Sequence, residues 1–451
     1  MARRAKGSER RQRRFRLWHI AVIVLLAIVA IPLGSRVYWQ VQLRGRIKAL
    51  AAAGYPIRAE QMDVLYPLLD PDQENLADSI VAAGSLFELD LSEEEREVVP
   101  VIGRGELPPP GVALSAEARE VLARLLDDHR VALGHLQCMS LAARCRYRLN
   151  WTEGFKSGFS DLDAAHRCAS LLGVAALCAF DEGDSEQGVD ALARALVIGR
   201  SVSETPLMWG RHSLNRALKV LEWGLGRGPL TVEQLDRLNE ALGQDDCPES
   251  LVRGMVGWRC LALPLLQAPD PAEDNDLPPD AILDLYCAFG LAARETVIYI
   301  DMIESYIQAA RLPLNEWQSA AQAIDERVRT QVAWCLQLRH LGSEDTGLSH
   351  NLIHGYTSRA RLDTAHAGLA IERYRLAKGR LPETLADLVP QYLESVPLDP
   401  FDGAALRYQM LAQGFVVYSI GRNGWDDGGT PPAPGQEWRR GNWDITFTIE
   451  R

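Results

Sequence analysis

A run of apolar residues near the N-terminus constrains this chain more than any other feature. Residues 17–33 read LWHIAVIVLLAIVAIPL, in which His19 is the one strongly polar side chain. A helix of this length rises about 25 Å, close to the thickness of the hydrocarbon core of a bilayer. We therefore predict a single transmembrane helix within residues 17–35, with aromatic residues such as Trp18 and Trp39 at its two interfaces.

The charges on either side of this run predict its orientation. Residues 1–16 contain eight Lys and Arg side chains, whereas four follow the run between Arg36 and Lys48. Because the more basic flank stays in the cytoplasm, we predict a basic cytoplasmic tail at residues 1–16 and a body in the periplasm or outside the cell.

A cleaved signal peptide is the competing interpretation of the same run. Cleavage needs small residues just after the apolar segment, and the stretch VAIPLGSRVYW has no clean Ala-x-Ala site. The apolar run is also longer than the usual core of a signal peptide. We favour an uncleaved signal anchor in the inner (cytoplasmic) membrane of a bacterium.

The rest of the chain is acidic. The whole sequence has 48 basic and 60 acidic side chains and a net charge of −12, although its N-terminal tail is strongly positive. An acidic body repels the phosphates of DNA and RNA, so we predict no nucleic-acid partner. The partners that we expect are the lipid bilayer and proteins of the cell envelope.

Beyond the anchor, the pattern is mainly α-helical. Apolar residues recur at helical spacing in segments separated by breakers such as Thr205-Pro206 and the GRGP stretch at residues 226–229. The stretch GRGELPPPG, residues 103–111, indicates a boundary. We predict a helical stalk with a Pro/Gly linker at residues 36–111 and an α-helical domain at residues 112–345.

One hairpin in this region resembles the turn and second helix of a tetratricopeptide repeat. It is GDSEQGVDALARAL, residues 183–196, with Gly183 and Asp184 at the turn and Ala195 at a small packing position. Gly188 stands where the repeat has Ala, and no second copy follows at a period of about 34 residues. A generic helical hairpin is the favoured interpretation.

The pattern changes in residues 346–451, which we call the cap. A long helix at about 346–378 precedes three β-like runs, LRYQM, FVVYSI and DITFTI, which Gly- and Asp-rich turns separate. We predict an α+β unit with an antiparallel sheet of three or four strands. Side chains alternate along a strand, and we expect Val416 and Tyr418 to lie on the helix while Phe415 and Val417 face away.

The cap resembles the C-terminal part of the type II secretion major pseudopilins. The resemblance covers residues 370–429 and the closing WDITFTIE. In the cap and in the pseudopilins alike, a helix ends in Tyr and is followed by a Gly-x-x-Pro turn, a Val-Pro segment and an Asp-Pro-aromatic turn. A Tyr-Ser-x-Gly strand then leads into a Gly/Asp-rich loop. The matching residues are Tyr374, Gly379, Pro382, Leu388, Val389, Pro390, Tyr392, Pro397, Asp399, Pro400, Phe401, Tyr408, Tyr418, Ser419 and Gly421.

The resemblance implies a calcium site in the Gly/Asp-rich loop. Its candidate ligands are Asp426, Asp427 and Asp444, with carbonyl oxygens near Ile420 and Asn423, since calcium takes six to eight oxygen ligands. The alternative is a solvated Asp/Gly turn, and Trp425 and the TPPAPG insertion depart from the family's loop.

The N-terminus also departs from the pseudopilin pattern. In that family a Gly precedes the apolar helix and a Glu follows five residues into it. Here Gly7 lies ten residues before the apolar run, and residues 17–33 contain no Glu. We therefore do not expect assembly into a pilus through the N-terminal helix.

Cysteine and histidine spacings predict no established metal motif. None of the eight cysteines forms C-x-x-C, so we interpret them mainly as small core residues and leave disulfides open. His350 and His354 have the spacing with which a helix presents two metal ligands. However, Asn351 stands where the thermolysin-like motif has Glu, which favours a structural or surface helix.

The catalytic signatures of hydrolases and nucleotide-binding enzymes are missing from the sequence. It contains no G-x-S-x-G, no Walker A loop and no G-x-G-x-x-G after a strand. We predict a non-enzymatic interaction or structural protein of the envelope, with a link to secretion machinery suggested by the resemblance. The alternative is an envelope hydrolase acting on glycans through Glu153, Asp161 or Asp163, near the aromatic-rich residues 150–159.

Overall fold

Helices form most of the chain, and a short antiparallel sheet lies near its C-terminus. The computed structural model describes residues 2–109, 112–151, 159–207, 211–244, 247–267, 280–332, 348–430 and 443–451, and it describes the backbone alone at residues 2–17, 21, 25, 28, 29, 280, 281 and 332. The α-helices are α1 (Ala2–Ala52), α2 (Leu76–Gly84), α3 (Glu93–Val98), α4 (Ala116–Asp128), α5 (Arg130–Gln137), α6 (Ser160–Glu182), α7 (Ser185–Ser203), α8 (Arg211–Arg227), α9 (Val232–Leu242), α10 (Glu249–Gln267), α11 (Asp280–Ala288), α12 (Leu291–Ala310), α13 (Trp317–Val332) and α14 (Leu348–Lys378). The 3-10 helices are Ala59–Val64 and Leu385–Leu388.

The sheet has three strands in the described part of the cap. They are β1 (Arg407–Leu411), β2 (Gly414–Ser419) and β3 (Ile445–Glu450), in the order β1-β2-β3, and both neighbouring pairs are antiparallel. The prediction of a mainly helical chain with a small C-terminal antiparallel sheet is confirmed.

Helices α6, α7 and α8 pack around one aromatic ring. The ring of Phe180 lies between Gly188 of α7 and Gly224 of α8, and a Cβ atom added to either glycine would come within 2.7 Å of it. The turn between α6 and α7 uses Gly183 at φ +85°, and the Asp184 side chain then accepts the Gln187 N–H at 3.0 Å. Position 188 therefore requires glycine, because Phe180 occupies the space that a side chain would need.

One apolar core crosses the predicted boundaries near residues 111 and 345. Met62 and Ile80, from the segment predicted as a stalk, are fully buried in the same cluster as Leu177 of α6. Ile371 of α14 and Phe415 of β2 belong to this cluster as well. The helical region and the cap are therefore joined by shared apolar packing.

The prediction of which face of β2 lies on the helix is wrong. Val417 pairs with Phe447 of β3, and the Phe447 ring lies directly against Gly368 of α14. On the other face, Tyr418 contacts Gly429 of the loop that follows β2, where a Cβ atom would be 3.0 Å from the Tyr418 ring. Both faces of β2 are buried because the loop covers the side that α14 does not, so alternation alone did not identify the inner face.

We expect Phe447→Ala to destabilise the protein by about 3–5 kcal/mol, because it removes a 3% exposed aromatic ring between the sheet and α14. Met410→Ala is the matched control, since Met410 of β1 is 58% exposed, and its effect should stay within about 0.5 kcal/mol. Denaturant unfolding of both variants measures the difference. Equal losses would contradict the assignment of the Phe447 face as the inner one.

Candidate functional site

Three histidines line a polar cavity of about 150 Å³ between α8, α10 and α14. His212 comes from α8, His350 and His354 come from α14, and Ser250 and Gly254 of α10 form another wall. We call this the histidine cavity. It is a site at which side chains far apart in the sequence meet.

The four-residue spacing places His350 and His354 on one face of α14. Their Nε2 atoms are 2.7 Å apart, so one imidazole N–H donates to the ring nitrogen of the other. Burial and, to a lesser extent, the neighbouring His350 lower the pKa of His354 to about 4. Burial also lowers the pKa of His212. His354 and His212 therefore present neutral imidazoles to the cavity at neutral pH.

The remaining wall of the histidine cavity combines polar residues with Leu207 and Leu251, and no carboxylate is among the residues that line it. Arg211 donates to the Ser250 hydroxyl at 2.8 Å, and the Asn215 amide donates to the Ser358 hydroxyl at 3.2 Å. The Asn215 Oδ1 atom is buried and has no hydrogen-bond partner in the described structure. Such a cavity suits water or a small neutral polar molecule.

A metal site at His350 and His354 lacks further ligands of the usual kinds. Within the described residues, no group of three or more His, Cys, Asp and Glu side chains is placed to hold a metal ion. The sequence spacing identified two of the three cavity histidines. His212 could not be found in this way because its contribution depends on how α8 packs against α14.

The Asp399 carboxylate organises the turn that precedes the sheet. It is fully buried and accepts the Phe401 N–H at 3.0 Å and the Ser419 hydroxyl at 2.8 Å on one oxygen. The other oxygen accepts the Ile420 N–H at 2.9 Å and a guanidinium N–H of Arg407 at 2.7 Å. Burial raises the pKa of Asp399, and these hydrogen bonds oppose that increase. The Asp-Pro-Phe turn and the end of β2 are thus held by one side chain.

The predicted calcium ligands hold their own loop through hydrogen bonds. Asp444 is buried and accepts the Gly429 N–H at 2.7 Å and the Asp427 N–H at 3.3 Å, while Asp426 accepts the Gly428 N–H at 2.9 Å. Burial raises the pKa of Asp444. These carboxylates do not form a metal-ligand cluster in the described residues, and the calcium site stays a prediction.

The carboxylates proposed for a glycan hydrolase do not form a described pair. Glu153 lies outside the described residues. Asp161 and Asp163 are in the first turn of α6, two residues apart, and side chains at this spacing do not face each other on a helix. Burial raises the pKa of Asp161. The hydrolase alternative stays a prediction without a paired acid and base.

Six described cysteines are free thiols, namely Cys138, Cys145, Cys168, Cys178, Cys260 and Cys287, and Cys335 lies outside the described residues. Cys145, Cys168 and Cys260 are buried, as expected of small core residues, whereas Cys138 is exposed. Burial raises the pKa of Cys168 to about 12, which keeps this thiol protonated and unreactive.

Among the described residues, the helix that is long and apolar enough to cross a membrane is α6, Ser160–Glu182. Its apolar window is 72% buried inside the fold, as for the core helix of a globular protein. The predicted span at residues 17–33 lies within α1, and several of its side chains are not described. The span therefore stays a prediction.

Comparisons with known proteins identify no relative of this chain. No family model matches it, and neither a curated protein nor a solved structure is similar to it. The pseudopilin resemblance therefore depends on the order of turns in residues 370–429 and the closing strand.

We expect the free energy of unfolding to fall as the pH decreases from about 6.5 towards 4. The unfolded chain gains a proton on His354 near its ordinary pKa of 6.5, whereas the folded chain resists this proton until about pH 4. Other buried histidines with lowered pKa values, such as His166 and His366, act in the same direction. His354→Gln should reduce this loss of unfolding free energy at low pH. His135→Gln, at an exposed position of α5, should not. Identical pH profiles for the two variants in thermal unfolding would contradict the role of His354.

We expect Asp399→Ala to destabilise the protein by about 3–5 kcal/mol, because it leaves the buried Phe401 and Ile420 N–H groups without their acceptor and removes one carboxylate partner of Arg407. Asp426→Ala is the control, since Asp426 is half-exposed and its carboxylate lies 3.9 Å from Arg407. Chemical denaturation compares the two. A loss for Asp399→Ala no larger than that of the control would show that this carboxylate does not organise the cap.

Proposed function

We propose that this chain is a membrane-anchored envelope protein that binds other proteins through its helical scaffold and its pilin-like cap, without catalysing a reaction. The observation that supports it best is the exposure of the apolar segment of α1. Trp18 is 67% exposed, Ile23 64% and Ile31 69%. Moving each large apolar side chain out of water contributes about 1.5–3 kcal/mol of favourable transfer free energy. This segment therefore favours a lipid environment.

The apolar segment of α1 is exposed, whereas the C-terminal part of α1 packs into the body. Leu43 and Leu50, in the C-terminal part of α1, are buried in the common core. Arg46 in the same part forms an ion pair with Asp301 of α12, with 2.6 Å between Nε and Oδ1. One continuous helix therefore joins an exposed apolar segment to the packed body, as a signal anchor requires.

The cap supplies a surface suited to a protein partner. Trp425, in the loop after β2, is 74% exposed, and Met410 of β1 is 58% exposed. Exposed Trp residues are frequent energetic centres of protein interfaces. Because the cap resembles pseudopilins, components of secretion or pilus machinery are the first partners to test, by analogy of fold.

A reporter that is active only in the cytoplasm, fused after Arg451, should remain silent, and a reporter active only outside the cytoplasm should give signal. The expectation follows from eight basic residues before the apolar run against four after it. The matched control carries the same reporters on a chain without residues 17–33, which should reverse both signals. Cytoplasmic signal from the full chain would overturn the anchor proposal.

A photo-crosslinking residue at position 425 should capture a specific envelope protein in intact cells. The same residue at Val131 of α5, which is 62% exposed, controls for random collisions. Trp425→Ala should weaken binding of the captured protein by at least about tenfold, in the range of an interface hot spot. Equal capture at both positions would contradict a binding role for this loop.

Turnover of peptidoglycan or other glycans by the purified chain would favour the hydrolase alternative.

A further inference from the structure

Helix α11 presents apolar side chains that the described part of the body does not cover. Leu283 and Tyr286 are buried, and the Tyr286 hydroxyl donates to the Glu295 carboxylate of α12. Ile282 and Leu285 are 52% and 58% exposed. Since they are three residues apart on a helix, they share one face. The helix is thus attached to the body on one side and apolar on the other.

The contact between α1 and the residue after α11 brings the C-terminal end of α11 near the predicted membrane. Gly290, just after α11, packs against the backbone of Arg36, and Asp301 of α12 pairs with Arg46 of α1. Helix α12 therefore runs parallel to α1 and away from the apolar segment. Arg36 follows Leu33 by three residues, a rise of about 4.5 Å. The headgroup layer on each side of a bilayer is about 5–7 Å thick, so the C-terminal end of α11 lies at the level of the lipid headgroups.

We propose that α11 lies on the outer surface of the membrane and inserts Ile282 and Leu285 among the lipids. This inference rests on the proposed anchor, because α1 sets the level of α11. An interfacial helix buries its apolar face at the boundary between headgroups and acyl chains. The contact also limits the tilt of the body relative to the bilayer, because the protein then meets the bilayer at two points.

The charges near this face favour an apolar contact over an electrostatic one. Asp284 is an exposed acidic residue of α11, and Arg36 of α1 lies near the same end of this helix, so the two charges offset each other and do not attract anionic lipids. The contact should therefore form on zwitterionic bilayers and persist in high salt. A second copy of the chain is the other occupant to test, but the end of α11 lies against Arg36, three residues after the apolar segment, which favours lipid.

Fluorescence quenching in bilayers tests the proposal with the full chain. The chain is reconstituted in phosphatidylcholine vesicles with Cys138 and Cys287 replaced by Ser, and one new cysteine carries an environment-sensitive dye. Ile282→Cys and Leu285→Cys report on α11, and Val24→Cys reports on the anchor. Val131→Cys is the matched control, since Val131 is an exposed residue of another helix. Spin-labelled lipids are the quencher.

We expect lipid quenching at positions 282 and 285 to exceed that at position 131 at least threefold, and to be unchanged in high salt. Strong quenching at position 24 without quenching at 282 and 285 would overturn the α11 contact but leave the anchor standing. Weak quenching at position 24 would overturn the anchor and, with it, the contact. Dyes at 282 and 285 that are shielded from water without lipid quenching would indicate a protein occupant and also overturn the contact.

Discussion

Helix α6 has apolar side chains on nearly every side, and the elements around it must keep water away from all of them. Helices α7 and α8 close around Phe180 because Gly188 and Gly224 leave room for its ring. Helix α2 approaches just as closely, since Gly84 lies directly against Ala164 of α6. The burial of α6 thus determines where its neighbours lie. It also explains why α6 satisfies the length and hydropathy of a membrane span while being the central core helix.

The cap is attached to this helical body by apolar packing and by a few well-placed polar contacts. The Trp317 indole N–H of α13 donates to the Pro400 carbonyl at 2.6 Å, next to the turn that Asp399 organises. The Thr448 N–H of β3 donates to the Glu222 carboxylate of α8 at 2.6 Å. Because these partners come from different helices, they fix the position and orientation of the cap on the body. A scaffold that holds the exposed loop at Trp425 in a defined place is suited to partner recognition.

Local patterns predicted the elements of the cap well. The helix expected at about 346–378 is α14, Leu348–Lys378, and the three β-like runs are the three strands. The inner face of β2 was predicted wrongly, because Phe415 and Val417 are as apolar as Val416 and Tyr418. Alternation separates two sets of side chains, but packing chooses between them. The histidine cavity was found only in part, since His350 and His354 share a helix whereas His212 is brought to them by α8.

The sequence by itself determined the features that depend on short-range physics. These are the helical periodicity of the body, the turns and strands of the cap, the apolar run at residues 17–33 and the charge difference around it. Only the tertiary structure decided which face of the sheet meets α14, which histidines share a cavity, and that α11 lies beside the start of the packed part of α1. The physical reason is that backbone hydrogen bonding and side-chain periodicity act over a few residues. Burial, by contrast, depends on every surface that the whole chain brings together.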